Sequence, residues 1–68
     1  MEIATAVRVM MLANGETQQN LADLLGLSKQ AVTLKLNGRR RFNLQEVRTI
    51  LKHYNVSPDE LYKIFFEE

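Results

Sequence analysis

The stretch TQQNLADLLGLSKQAVTLKLNG, residues 17–38, decides the fold. Thr17 is a hydroxyl N-cap, followed at helical spacing by Leu21, Leu24 and Leu25, and Gly26 closes that helix. Ser28 caps a second run that continues to Asn37, where Gly38 stops it. Only Gly26 and Leu27 separate the two segments, and so short a joint forces adjacent helices to cross steeply. Ala22 has a side chain small enough for the two helices to approach. Gly26 supplies a turn conformation that a side chain would strain. Leu21, Leu25, Leu27 and Val32 then pin the pair to whatever core surrounds it.

On the N-terminal side, Ile3, Val7, Met10, Met11 and Asn14 recur on one face of a first helix, and Asn14-Gly15 is a left-handed stop. On the C-terminal side, Asn43 with Glu46 opens a fourth helix carrying Leu44, Val47, Ile50 and Leu51. Ser57-Pro58-Asp59-Glu60 is a capping box with proline in the first helical position. Leu61, Ile64 and Phe65 form the apolar side of that last helix. No run alternates as a strand does, and there are no repeats or linkers. The reading is all-α, with five helices in one domain over residues 1–68.

Sixty-eight residues without cysteine must hold together on an economical core alone. A hydrophobic share of 46% beside 25% charged residues suits a folded domain rather than a disordered tail. The longest apolar run, Val9 to Ala13, is too short to span a bilayer, and no secretory signal precedes it, so a soluble cytoplasmic protein with no membrane association is expected. The net charge of +1 hides a segregation. Residues 1–28 set Arg8 against Glu2, Glu16 and Asp23. Residues 29–52 set Lys29, Lys35, Arg39, Arg40, Arg41, Arg48 and Lys52 against Glu46 alone, and residues 53–68 return to acid. A basic block in an otherwise acidic chain is a candidate face for a polyanion.

Catalysis finds no footing. There is no phosphate-binding glycine loop, no nucleophile-base pair and no metal-ligand cluster, and His53 is the only histidine. Neither an enzyme nor a cofactor is expected, and His53 suits a helix end or surface. The aromatic residues are too scattered to form a stacking platform for single strands.

Two helices on a short glycine joint, the second followed by arginines, make a helix-turn-helix from Thr17 to Asn37, whose second helix is offered to the DNA major groove. The string TQQNLADLLGLSKQAVTLKLNGRRRF resembles the helix-turn-helix of lambda-type Cro and repressor proteins, the xenobiotic-response-element class. The shared landmarks are Thr17-Gln18, Leu21-Ala22, Leu25-Gly26, Ser28, Val32 and Asn37-Gly38, and NVSPDELYKIF is similar to the family's closing helix. The resemblance covers nearly the whole chain. It implies a compact five-helix, lambda-repressor-like domain in which helices two and three form the motif and residues 28–37 are the recognition helix. It also implies a small phage-type regulator that binds a double-stranded operator as a homodimer, across half-sites about one helical turn apart.

With Val32 turned inward, Gln30, Thr33, Leu34 and Asn37 fall on the outer side of the recognition helix, with Lys29 flanking. Gln30 pairs donor with acceptor, as adenine requires. Lys29 reaches guanine or phosphate, while Thr33 and Leu34 can meet a base edge or a thymine methyl. Gln18, Ser28 and Asn37 suit phosphates, and Arg39, Arg40 and Arg41 form a basic loop that grips backbone.

Three departures from the family stand out. Where many relatives pair a helix-one arginine with a late helix-three glutamate, this chain has Met11 and Leu36, so packing replaces the ion pair and the two are expected to touch. Lys35 occupies a position usually given to a core aliphatic. Its stem is expected to lie along the surface, with the ammonium in water. Leu34, Val9 and Leu12 are apolar on outward faces. Together with Tyr62, Phe65 and Phe66 of the last helix, Val9 and Leu12 are candidate protein-interface residues. The leading function is therefore a Cro-like repressor of a phage or prophage lysogeny switch. The alternative is a modulator or antirepressor that keeps the fold and complexes a partner repressor.

Overall fold

A computed structural model describes residues 2–66, with side chains described through Lys63. Five helices occupy the described residues, with no strand: α1 (Ile3–Ala13), α2 (Gln18–Leu25), α3 (Lys29–Leu36), α4 (Leu44–His53) and α5 (Pro58–Phe66). None is long and apolar enough to cross a membrane. α3 packs against both α1 and α2, and α4 packs against α2.

The caps form where the sequence placed them. The Ser28 hydroxyl accepts the Ala31 N–H at 3.1 Å; the Asn43 side chain accepts the Glu46 N–H at 2.8 Å, and the Glu46 carboxylate accepts the Asn43 backbone N–H at 2.9 Å. Thr17 does more than the hydroxyl cap expected of it. Asn20 returns the bond by accepting the Thr17 N–H at 2.8 Å, so two orphan donors of α2 are satisfied reciprocally. Gly26 has φ +67° with nothing close to where a Cβ would stand, so glycine is required there for its dihedral and not for space. Asn55, the only non-glycine residue with positive φ among those described, ends α4 in the same left-handed manner.

The core is built of Ala6, Val7, Met10 and Met11 from α1, Leu21 and Ala22 from α2, Val32 and Leu36 from α3, and Ile50 from α4. Ala22 and Val32 have no exposed surface, which is the tight α2–α3 crossing that a small residue in α2 allows. Met11 and Leu36 lie in this cluster and line one crevice together, in keeping with packing in place of the family's ion pair.

Two assignments need correction. Ile3, at the first turn of α1, is 38% exposed, and Ala6 takes its place in the core. Leu44 is 67% exposed because α4 turns Glu46 and Ile50 inward, which sends a residue two positions before Glu46 to the opposite side.

Candidate nucleic-acid interface

The short joint brings the N-terminal end of α2 against α3. Gln18, the first residue of α2, accepts the Thr33 hydroxyl on its Oε1 at 2.8 Å. The same hydroxyl lies 3.0 Å from the Lys29 carbonyl. Gln18 and Thr33, assigned from sequence to phosphate and base respectively, are thus brought into direct contact and are both half-buried.

The two ends of α3 differ. At the start, the side chains of Lys29 and Gln30 are exposed and have no internal partner among the described residues. Ser28 is also exposed, with its oxygen occupied as the cap acceptor. Toward the end, Leu34 is only half-buried and not fully offered to solvent at the centre of the outer face, as its position on the wheel suggested. Its carbonyl accepts the N–H groups of Arg39 and Arg40, at 2.9 and 3.3 Å, which folds the arginine loop back on the helix end. All three arginine side chains remain exposed, without an acidic partner among the described residues.

Lys35 overturns the expectation of an ammonium in water. Its Nζ lies 2.8 Å from Glu46 Oε1, donates to the Arg41 carbonyl at 3.0 Å, and sits 5.8 Å from the centroid of the Phe42 ring. Both charged side chains are nearly buried, at 12% and 11% exposure. The cause is the Asn43–Glu46 box, which fixes a carboxylate within reach of a long flexible amine. Burial alone would raise the Glu46 carboxyl. Hydrogen bonds from Lys35 and from the Asn43 N–H outweigh it and hold the group below its ordinary range. The chain therefore lacks the usual α1–α3 ion pair but carries another between α3 and α4.

Arg8 was missed as a functional residue. Its Nε donates to the Leu36 carbonyl at 3.0 Å and its Nη2 to Asn37 Oδ1 at 2.8 Å. The guanidinium thus caps the negative end of α3 and grips a residue assigned to phosphate contact. The sequence signal was faint: a lone cation in an acidic first segment, one turn before the position where relatives carry theirs.

His53 is exposed at the end of α4, with Nε2 2.7 Å from Glu16 Oε1. Tyr54 stacks edge-on against it, and burial, followed by the Glu16 charge, raises the phenol above its usual range. Among the described residues no group of His, Cys, Asp and Glu is placed to hold a metal. Of the candidate interface residues, Val9 is 51%, Leu12 85% and Tyr62 57% exposed, while the side chains of Phe65 and Phe66 lie outside the described residues.

A family model for the Cro/C1-type HTH DNA-binding domain matches residues 6–67. Neither a curated protein nor a solved structure matches the chain. A match that reaches into all five helices, with α3 packed on α2 beside an exposed arginine loop, places the chain in the Cro/C1-type helix-turn-helix family of DNA-binding domains.

Proposed function

We propose that residues 1–68 act as one cytoplasmic, Cro-like repressor domain of a phage or prophage switch that binds a palindromic operator as a homodimer. α3 enters the major groove by its N-terminal end. The observation that carries this reading is the exposure of the Lys29 and Gln30 side chains without internal partners among the described residues, next to an arginine loop whose charges no described acid neutralises. Gln30 reads adenine and Lys29 reads guanine or an adjoining phosphate. Thr33 offers its methyl and Leu34 an apolar edge to thymine. Gln18, Ser28, Asn37, Arg39, Arg40 and Arg41 hold backbone phosphates. Tyr62, with Phe65 and Phe66, supplies the dimer contact on α5.

A salt-dependent mobility shift on an operator recovered from the protein's own upstream region tests the proposal. Gln30→Ala should relax sequence discrimination, and Arg40→Ala should weaken binding to all sequences alike. If both variants bind as the parent does, the assignment fails.

The exposure of Val9 and Leu12 on α1 favours a second reading, in which this face docks a partner repressor. Size-exclusion chromatography with a co-encoded repressor separates the two. A stable hetero-complex from a chain with no affinity for DNA decides for the second.

A further inference from the structure

We propose that Arg8 is a positioning residue of the DNA interface, which turns the Asn37 amide so that Gln18, Arg8 and Asn37 present their N–H donors to one backbone phosphate. The proposal rests on the DNA-binding reading above and deepens it.

A primary amide offers both an acceptor oxygen and donor N–H groups, so an exposed asparagine or glutamine does not by itself select for an anion. On this face each amide oxygen already faces an internal donor. Asn37 Oδ1 accepts from the Arg8 guanidinium at 2.8 Å, and Gln18 Oε1 accepts from the Thr33 hydroxyl at 2.8 Å. That contact orients each amide, and neither amide nitrogen has a partner among the described residues.

Thr33 and Asn37 stand one turn apart on the same side of the recognition helix, so the two internal bonds form adjacent rungs. Arg8 and Gln18 also line a single crevice with Met11, Leu12, Glu16 and Leu36. The Glu16 carboxylate in that crevice is engaged by His53 of α4. Arg8 itself uses two of its five N–H donors on Leu36 and Asn37, and the rest remain for a ligand. A ledge of donors and one cation suits a phosphodiester, which only accepts.

A purely structural role for Arg8, capping α3, is the rival, and Asn37→Asp separates the two. An aspartate keeps the bond to Arg8 but replaces the outward NH2 with an acceptor and a negative charge. The experiment measures affinity by fluorescence anisotropy over a salt series, using the full chain and a labelled duplex selected from a random pool by the wild type. Thermal midpoints of the same variants are measured in parallel.

Arg8→Ala should bind about tenfold more weakly, with the salt slope reduced by about one. Arg8→Lys should restore the slope and only part of the affinity, because an ammonium cannot reproduce the planar fork. Asn37→Asp should keep its thermal midpoint and lose at least about tenfold in affinity. If Arg8→Ala keeps the parental affinity and slope, or if Asn37→Asp binds as the parent does, the proposal is overturned. Should Arg8→Ala fail to fold, Arg8→Lys and Asn37→Asp decide alone. A wild type that retains no duplex at low salt overturns the underlying DNA-binding reading, a result distinct from the failure of Arg8 alone.

Discussion

The two ends of α3 are held in opposite ways. At its C-terminal end, Lys35 is locked between Glu46 and the Arg41 carbonyl, Arg8 grips Leu36 and Asn37, and the Leu34 carbonyl receives two backbone N–H groups of the arginine loop. At its N-terminal end, apart from the Ser28 cap, the side chains of Lys29 and Gln30 are bound by nothing internal among the described residues. The difference follows from helix electrostatics. Orphan carbonyls at a C-terminus attract cations and are satisfied by them, whereas an N-terminus left to solvent attracts anions. A helix anchored at one end and open at the other presents its open end in a fixed place and leaves the side chains there uncommitted.

The comparison breaks most sharply at the anchored end. Leu36→Ala, at a site only 3% exposed, should cost about 3 kcal/mol, enough to unfold much of so small a domain, while Leu34→Ala two residues earlier should cost about 1 kcal/mol or less. Urea titrations followed by circular dichroism would show the contrast, and equal losses would mean that the helix is not pinned as described.

Next in size is the Lys35–Glu46 pair. Glu46→Ala should cost about 2 kcal/mol, less than a fully buried pair because a tenth of each side chain stays exposed, whereas Lys35→Met with Glu46→Leu should recover most of the loss. The pH dependence has a definite sign. A carboxyl held below its ordinary range in the folded state contributes fully above the unfolded value, and the contribution is lost as pH falls from about 4.3 through the depressed value. Wild type minus Glu46→Gln should therefore narrow in acid; a constant difference would remove Glu46 as a source of acid sensitivity.

At the open end the effects move from stability to recognition. Gln30→Ala should leave the thermal midpoint unchanged and cost about 1–3 kcal/mol of discrimination at one base pair. A shifted midpoint would show that this end is also structural. The smallest effect concerns the joint. Gly26→Ala should cost about 1 kcal/mol, since the strain is in the backbone dihedral and a methyl group meets nothing.

Much of this was legible in the chain because its causes are local. Thr17, Ser28, Asn43 and the Ser57-Pro58 start each announce a helix through the geometry of a few neighbouring residues, and the described helices begin there. The Val32 and Leu21 core positions follow from helical period alone, and the exposure of Val9 and Leu12 was legible for the same reason. Leu44 was misplaced because period does not tell which of two neighbouring faces a tertiary partner will claim. Lys35 was misplaced because its partner lies eleven residues away, on another helix.

The sequence by itself determined five helices, a short glycine joint at Gly26 and a basic block after Asn37, all of them consequences of short-range sterics, capping and composition. Only the tertiary structure decided where the charges went. It drew Lys35 inward to a carboxylate fixed by its own capping box and set Arg8 on the end of a helix 28 residues further along the chain. Long side chains can satisfy a charge or an orphan carbonyl anywhere within their reach, and which one they meet is settled by the packing of backbones, not by spacing along the sequence.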